Sequence, residues 1–214
     1  RLPRVNQVQV NSKIDLNFSD VLRTALRQDP DLIMVGEMRD HETVEIGLRG
    51  AITGHLVLST LHTNDAITSA LRLIDMGAAG FLVGSSLRAV VAQRLVRRVC
   101  DNCTTDYTPE AQELFWLKNL VGNDVANISF KKGHGCQSCQ YTGYRGRIGV
   151  FELLEMNEPM MAALKRDDAE EFTELAKKNP SFKPLALAAF DYAVQGITSV
   201  EEVLRLVETV EVAG

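Results

Sequence analysis

Two short apolar runs, set one helical segment apart, restrict the first half of this chain more than any other feature. "LIMV" (Leu32–Val35) follows "DPD" and stops at Gly36, and "HLVLST" (residues 55–60) follows Gly54. Each is a continuous run between turn-forming residues, the pattern of a strand covered on both faces. Residues 40–52 between them read as a helix: Val44, Leu48 and Ala51 fall in register, Asp40 and Glu42 favour its start, and Gly54 suits its end. Upstream, "FSDVLRTALRQDP" places Val21, Leu22, Ala25 and Leu26 on one stripe and ends at Pro30. Downstream, "HTNDAITSALRLIDMG" is capped near Thr63 to Asp65, carries the stripe Ile67, Ala70, Leu71 and Ile74, and closes at Gly77. Strand, helix, strand, helix at this spacing predicts an α/β fold, a parallel sheet with crossover helices.

The remaining segments are read more coarsely. "VNQVQV" (residues 5–10) alternates as a half-buried strand would. Residues 81–95 read as a helix leading into "VRRVC", and Thr108 and Pro109 suit the start of a short helix reaching Leu120. Residues 147–154 are strand-like. From Pro159 the chain is mainly helical, over 160–165, 169–178 and 184–195. The last helix opens with a capping box, Ser199 with Glu202, and carries the stripe Val200, Val203, Leu204 and Val207. Three parts result: an α/β segment 1–99, a cysteine-bearing module 100–147 and a mainly helical region 148–214.

Ligands of parallel α/β sheets bind at the carboxyl ends of the strands. Glu37 follows one strand and His62 the other, so both are expected at that edge. There Glu37 can order a magnesium ion through its waters or polarise an attacking water, and His62 can hydrogen-bond a terminal phosphate oxygen. Taken singly, each is also compatible with a solvated turn acid and a surface histidine; their shared edge is what favours chemistry. His55 opens its strand away from that edge and reads as structural, while His41 and His134 read as exposed loop or helix-start residues. No G-x-x-x-x-G-K-[ST] loop occurs in the 214 residues. The chain thus has an acid suited to nucleotide hydrolysis without a loop to cradle phosphates.

The four cysteines fall as two pairs, Cys100/Cys103 and Cys136/Cys139. Two C-x2-C pairs supply the four thiolates of a closed, tetrahedral, structural Zn2+ site. A redox dithiol pair and unmetalled thiols are the alternatives, and without a secretory signal disulfides are disfavoured. Basic residues gather nearby (Arg94, Arg97, Arg98, Lys131, Lys132, Arg145 and Arg147), with only Tyr141 and Tyr144 interleaved. With so few aromatics and a net charge of −5, solvated charges are favoured over a nucleic-acid surface. No apolar run is long enough to span a bilayer. The chain opens at Arg1 in mid-pattern, without Met or a helix cap, and reads as an internal portion of a longer polypeptide.

Four ordered stretches, "RQDPDLIMVGEMRD", "TGHLVLSTLHTNDA", "LRAVVAQRLVRRVCDNC" and "GCQSCQYTGYRGRIGVFELL", resemble the secretion and pilus-assembly ATPase superfamily over nearly the whole chain. More narrowly, they are similar to the type II secretion ATPase and the type IV pilus extension ATPase, with the MSHA-type pilus branch among the forms this could take. The resemblance implies a RecA-like ATPase core, of which this chain holds the C-terminal half. It makes Glu37 the Walker B glutamate, His62 the His-box histidine and the cysteines zinc ligands. It further implies ATP and Mg2+ as cofactors. The motor would be a cytoplasmic homo-hexamer working with an inner-membrane platform and cytoplasmic assembly proteins. Arg23 and Arg27 match arginines of the motif, without an assigned contact. The retraction branch carries "ETGH" before its His-box strand; here "AITGH" has Ile52 at that place, which disfavours retraction. In the resemblance the phosphate loop lies upstream of Arg1, so this chain is expected to be inactive alone. A zinc-stabilised docking module and a dead nucleotide-binding paralogue are the alternatives.

Overall fold

The first helix, α1 (Phe18–Ala25), starts where Asn17 accepts the Asp20 N–H at 3.0 Å. This computed structural model describes residues 3–211. A 3-10 turn extends α1 to Gln28, and β1 (Leu32–Val35) follows. Asp40 caps α2 (His41–Ile52) through the Thr43 N–H at 2.8 Å. The helix ends one residue short of Gly54, whose φ of +111° suits a residue without Cβ. β2 (Leu56–Ser59) then lies parallel to β1, with Leu32 opposite Leu56 and Val35 opposite Ser59. A parallel neighbour needs a crossover, and α2 supplies it. The predicted α/β architecture is therefore present.

The chain folds into two compact units, each built from segments distant in sequence. Unit 1 comprises residues 1–63, 67–90 and 155–178; unit 2 comprises 64–66, 91–154 and 179–214. The cysteine-bearing segment 100–147 lies wholly in unit 2, and the C-terminal helices divide between the two.

In unit 1, Phe18, Leu22, Leu26, Met38 and Ile46 cover Ile33 and Val35. Only that face of the sheet is covered, which corrects the expectation of strands buried on both faces: Leu32 and Met34 are 51% and 68% exposed. Leu56 and Leu58 of β2 are exposed likewise. The apolar runs are continuous, yet the described residues bring helices to one side alone. Helix α3 (Ala66–Asp75) follows β2, and Gly77 then turns the chain at φ +94°. Next come α4 (Gly80–Ser86) and, later in the chain, α6 (Glu158–Lys165), which pack together so closely that a Cβ on Gly80 would meet the Leu164 carbonyl oxygen at 2.1 Å. Asn157 caps α6 by accepting the Met160 N–H at 3.1 Å. Asn157→Ala is expected to lower stability by about 1 kcal/mol, read as a small drop in denaturation midpoint at unchanged slope. α7 (Ala169–Lys178) buries Phe172 and Ala176.

Two further expectations need correction. Residues 5–10 form no strand, and Val5 and Val8 are exposed; alternation alone gives no ladder when no neighbouring strand pairs with it. The helix expected over 81–95 stops at Ser86, and Ala89–Val99 is an eleven-residue strand, β3. β3 pairs with β6 (Tyr144–Glu155), some fifty residues on. The pairing makes burial alternate along β3, a period of two that the shorter helical stripe masked.

In unit 2, the short strands β4 (Thr104–Tyr107) and β5 (Phe130–Gly133) pair antiparallel. Between them α5 (Ala111–Val121) starts two residues later than expected from Thr108–Pro109. Glu110 is its cap and exchanges hydrogen bonds with Glu113. α8 (Leu185–Val194) and α9 (Val200–Glu211) complete the unit. Its core includes Val96, Leu117, Val150, Leu185, Val200 and Val203, with Phe130 edge-on to Phe190 at 6.0 Å between ring centres. The Ser199 hydroxyl accepts the Glu202 N–H as expected of a capping box. The Glu202 carboxylate, however, takes the Arg97 backbone N–H at 2.7 Å and its guanidinium at 2.9 Å.

Candidate functional site

Glu37 and His62 meet where the two parallel strands end. Thr60, just past β2, donates its hydroxyl to the Gly36 carbonyl at 2.7 Å, and its own carbonyl accepts the Met38 N–H at 3.1 Å. These bonds tie the two strand ends together around Glu37. One carboxylate oxygen of Glu37 takes the Arg39 guanidinium at 2.5 Å; the other lies 3.2 Å from His62 Nε2. Glu37 is only 20% exposed, whereas His62 is 87% exposed. The Arg39 hydrogen bond holds the Glu37 carboxyl below its ordinary range, with burial acting in opposition and His62 assisting. The carboxylate is therefore ionised at neutral pH and keeps a fifth of its surface open to solvent. That suits it to order a hydrated divalent cation or polarise a water. Sequence reasoning missed Arg39. Its position two residues beyond Glu37 in "GEMRD" was the available signal.

The four cysteines converge separately, in unit 2. All four sulfur atoms lie within 4.8 Å of one another, with Cys100–Cys136 at 3.9 Å and Cys103–Cys139 and Cys136–Cys139 at 3.8 Å. A tetrahedron of thiolates around zinc has edges of about 3.8 Å, set by Zn–S bonds of about 2.3 Å. The set thus fits a four-coordinate ion with no further donor. Backbone amides point at the sulfurs: Cys139 Sγ accepts from Cys136 at 3.1 Å and from Gly143 at 3.3 Å. These bonds bring the Cys139 thiol down to about 6, while desolvation pushes Cys103 up to about 12. Glycines permit the close weave beneath, since a Cβ on Gly133 would meet the Gly143 carbonyl at 2.1 Å. The His134 N–H bonds the Cys103 carbonyl and its Nε2 lies 2.7 Å from the Thr105 hydroxyl, so this histidine braces the module.

The profile of the type II/IV secretion system protein family matches residues 1–205. The chain belongs to that family. The chain is 42% identical over 207 residues to type II secretion system protein E of Klebsiella pneumoniae, covering 97% of this chain and 40% of that protein. It is 43% identical over 204 residues to the type IV pilus assembly ATPase PilB of Thermus thermophilus, covering 95% of this chain and 23% of that protein. It therefore spans two fifths or less of these relatives' length. Among solved structures, the pilus retraction motor PilT with bound ADP superposes with a TM-score of 0.60 at 26% identity, covering 89% of this chain and 43% of that one. The Legionella pneumophila ATPase DotB shares the fold at 22% identity, with a TM-score of 0.62 over 90% of this chain and 42% of that one.

In this type II/IV secretion family member several of the remaining sequence candidates have local partners. Arg23 on α1 pairs with Glu42, and Arg27 joins it along a shallow depression with Asp20, Thr24 and Gln28. His55 Nδ1 lies 3.0 Å from the Gly50 carbonyl and clasps the end of α2, as its structural reading expected. His41 lies 3.5 Å from Glu45. Several basic residues near the cysteines have local partners. Arg97 bridges Glu201 and Glu202 and stacks 3.9 Å over the Tyr144 ring; Lys131 pairs with Asp106 at 2.7 Å; Lys132 lies over Tyr107. Among the described residues no helix is long and apolar enough to cross a membrane.

Proposed function

We propose that this chain is part of an ATP-hydrolysing motor subunit that powers assembly of a type IV pilus or a type II secretion pseudopilus at the inner membrane. The observation that carries the reading is the Glu37 carboxylate, ionised and held between Arg39 and His62 at the joined ends of two parallel strands. The names of the relatives support it: a type IV pilus assembly ATPase, secretion system E proteins, and a pilus motor with bound ADP. Glu37 would accept the proton of the attacking water or order the waters of a magnesium ion, and His62 would hydrogen-bond a terminal phosphate oxygen of ATP. Bound there, the magnesium ion would neutralise charge developing on the phosphates. Cys100, Cys103, Cys136 and Cys139 hold a structural Zn2+. Ile52, where the resemblance expects a retraction motor to carry glutamate, favours extension and leaves water activation to Glu37.

The working unit of this reading is a homo-hexamer, cytoplasmic and held at the membrane by a platform protein and assembly partners. With no phosphate-cradling loop of its own, the 214-residue chain does not turn over ATP alone. The test is ATP hydrolysis by the full-length polypeptide beside this chain. Turnover by the former and none by the latter is expected. No turnover by the full-length polypeptide removes the motor reading and leaves a nucleotide-binding scaffold or zinc-stabilised docking module.

A further inference from the structure

Among the described residues two side chains hold Glu37, one at each carboxylate oxygen. An Arg39 guanidinium nitrogen lies 2.5 Å from Oε1, and His62 Nε2 lies 3.2 Å from Oε2. The two holders differ in what else they are asked to do. His62 is 87% exposed, and in the motor reading its ring would turn to a terminal phosphate oxygen. Once it does so, Arg39 is the side chain left on the carboxylate.

The Arg39 side chain is itself 68% exposed, so packing around it does not fix its direction. The chain on either side of it does. Before it, the Met38 N–H donates to the Thr60 carbonyl at 3.1 Å, and the Met38 side chain packs on the cluster of Leu22, Ile33 and Val35. Met38 also lies against α2 so closely that a Cβ on Gly47 would meet its Cε at 2.6 Å. After it, the Asp40 carboxylate accepts the Thr43 N–H at 2.8 Å and the Thr43 hydroxyl at 2.9 Å, closing the start of α2. Arg39 is thus a single residue strung between a core anchor and a helix cap, all within unit 1. From that fixed origin its guanidinium reaches back past Met38 to Glu37. An exposed ion pair adds little to stability. What this one supplies is direction: with one oxygen pinned, the other is presented at a set place.

We propose that Arg39 is the positioning residue for Glu37: by pinning Oε1 from a braced backbone, it presents Oε2 to the attacking water or to the waters of a magnesium ion. The inference rests on the motor reading and deepens it, since it says which oxygen acts and what aims it. A carboxylate freed from that hold samples other rotamers, and a misplacement of about 1 Å at a reacting group costs up to about a hundredfold in rate.

The experiment compares steady-state ATP hydrolysis by the full-length polypeptide with that of its Arg39→Ala and Arg39→Lys variants, with melting temperatures taken alongside. Arg39→Ala is expected to lower kcat at least about tenfold. KM for ATP should stay within about twofold, because the lost interaction serves the transition state and not nucleotide binding. Melting temperature should hold, because the pair is exposed. Arg39→Lys should recover at least about a third of the lost kcat, since an ammonium returns a charge and a donor to the same braced position. Unchanged kcat in Arg39→Ala overturns the positioning role and leaves the motor reading intact. A loss carried by KM overturns it too and makes Arg39 a nucleotide contact. Equal losses in the alanine and lysine variants, or a loss that follows a fall in melting temperature, leave Arg39 as a support of the fold alone. Absence of turnover in the unsubstituted full-length polypeptide removes the motor reading and this inference with it.

Discussion

Cys136→Ser is expected to abolish zinc binding and to unfold the segment the cysteines close. The strands there, β4 and β5, have four residues each, and a pair of that size is marginal without support. From the end of β5 the chain returns to the cysteines with Gly133 against Gly143 and Gly135 against the Tyr141 backbone, approaches too close for side chains at those positions. Closure therefore depends on the sulfur tetrahedron, with edges of 3.8–3.9 Å. Structural zinc sites contribute apparent binding energies of about 10–16 kcal/mol, far above what a short hairpin supplies. Elemental analysis of the native chain should give one zinc per polypeptide, and the Cys136→Ser variant none, with a large fall in melting temperature. Chelation of the native chain should reproduce that fall. A zinc-free native chain that melts like the variant would overturn the assignment.

Glu37→Gln, made in the full-length polypeptide, is expected to remove ATP turnover while sparing ATP binding. The substitution keeps the shape of the side chain and one acceptor oxygen, but not the charge that Arg39 and His62 face. Loss of a positioned general base costs about 10²–10⁴ in rate. The sign of the pH dependence follows from the depressed Glu37 carboxyl. Its deprotonated form persists below the ordinary carboxylate range, so activity should fall through Glu37 only as pH drops beneath that range. Nucleotide affinity, read by equilibrium binding, should change little, since in the proposed role the carboxylate would act on the water or the hydrated cation rather than on the nucleotide. Turnover near the unsubstituted rate would take Glu37 out of its role.

Much of this site was legible in the sequence because it is local. Glu37 and His62 each end a short apolar run, and a crossover helix between those runs leaves a parallel pairing as the natural arrangement. The C-x2-C spacing likewise specifies its own geometry. What sequence could not give came from long-range pairing. β3 reads as a continuation of α4 until β6 lies beside it. Glu152 in "FELLE" reads as an ordinary strand acid, and becomes a buried cap only because residues 66 and 185 arrive at the same place. Arg39 was visible, but its partner depends on how the turn after β1 folds back. Leu32 and Met34 mark the opposite failure: an apolar run shows what prefers burial, not whether a covering element is present.

The interleaving of the two units has a consequence for how such a chain can vary between relatives. Each unit is assembled from three separate stretches of polypeptide. No continuous stretch of coding sequence therefore specifies one unit, and no single splice can exchange one while leaving the other whole. Exchanging the whole unit that carries the acid–histidine edge, or the whole unit that carries the cysteines, would take several coordinated splices.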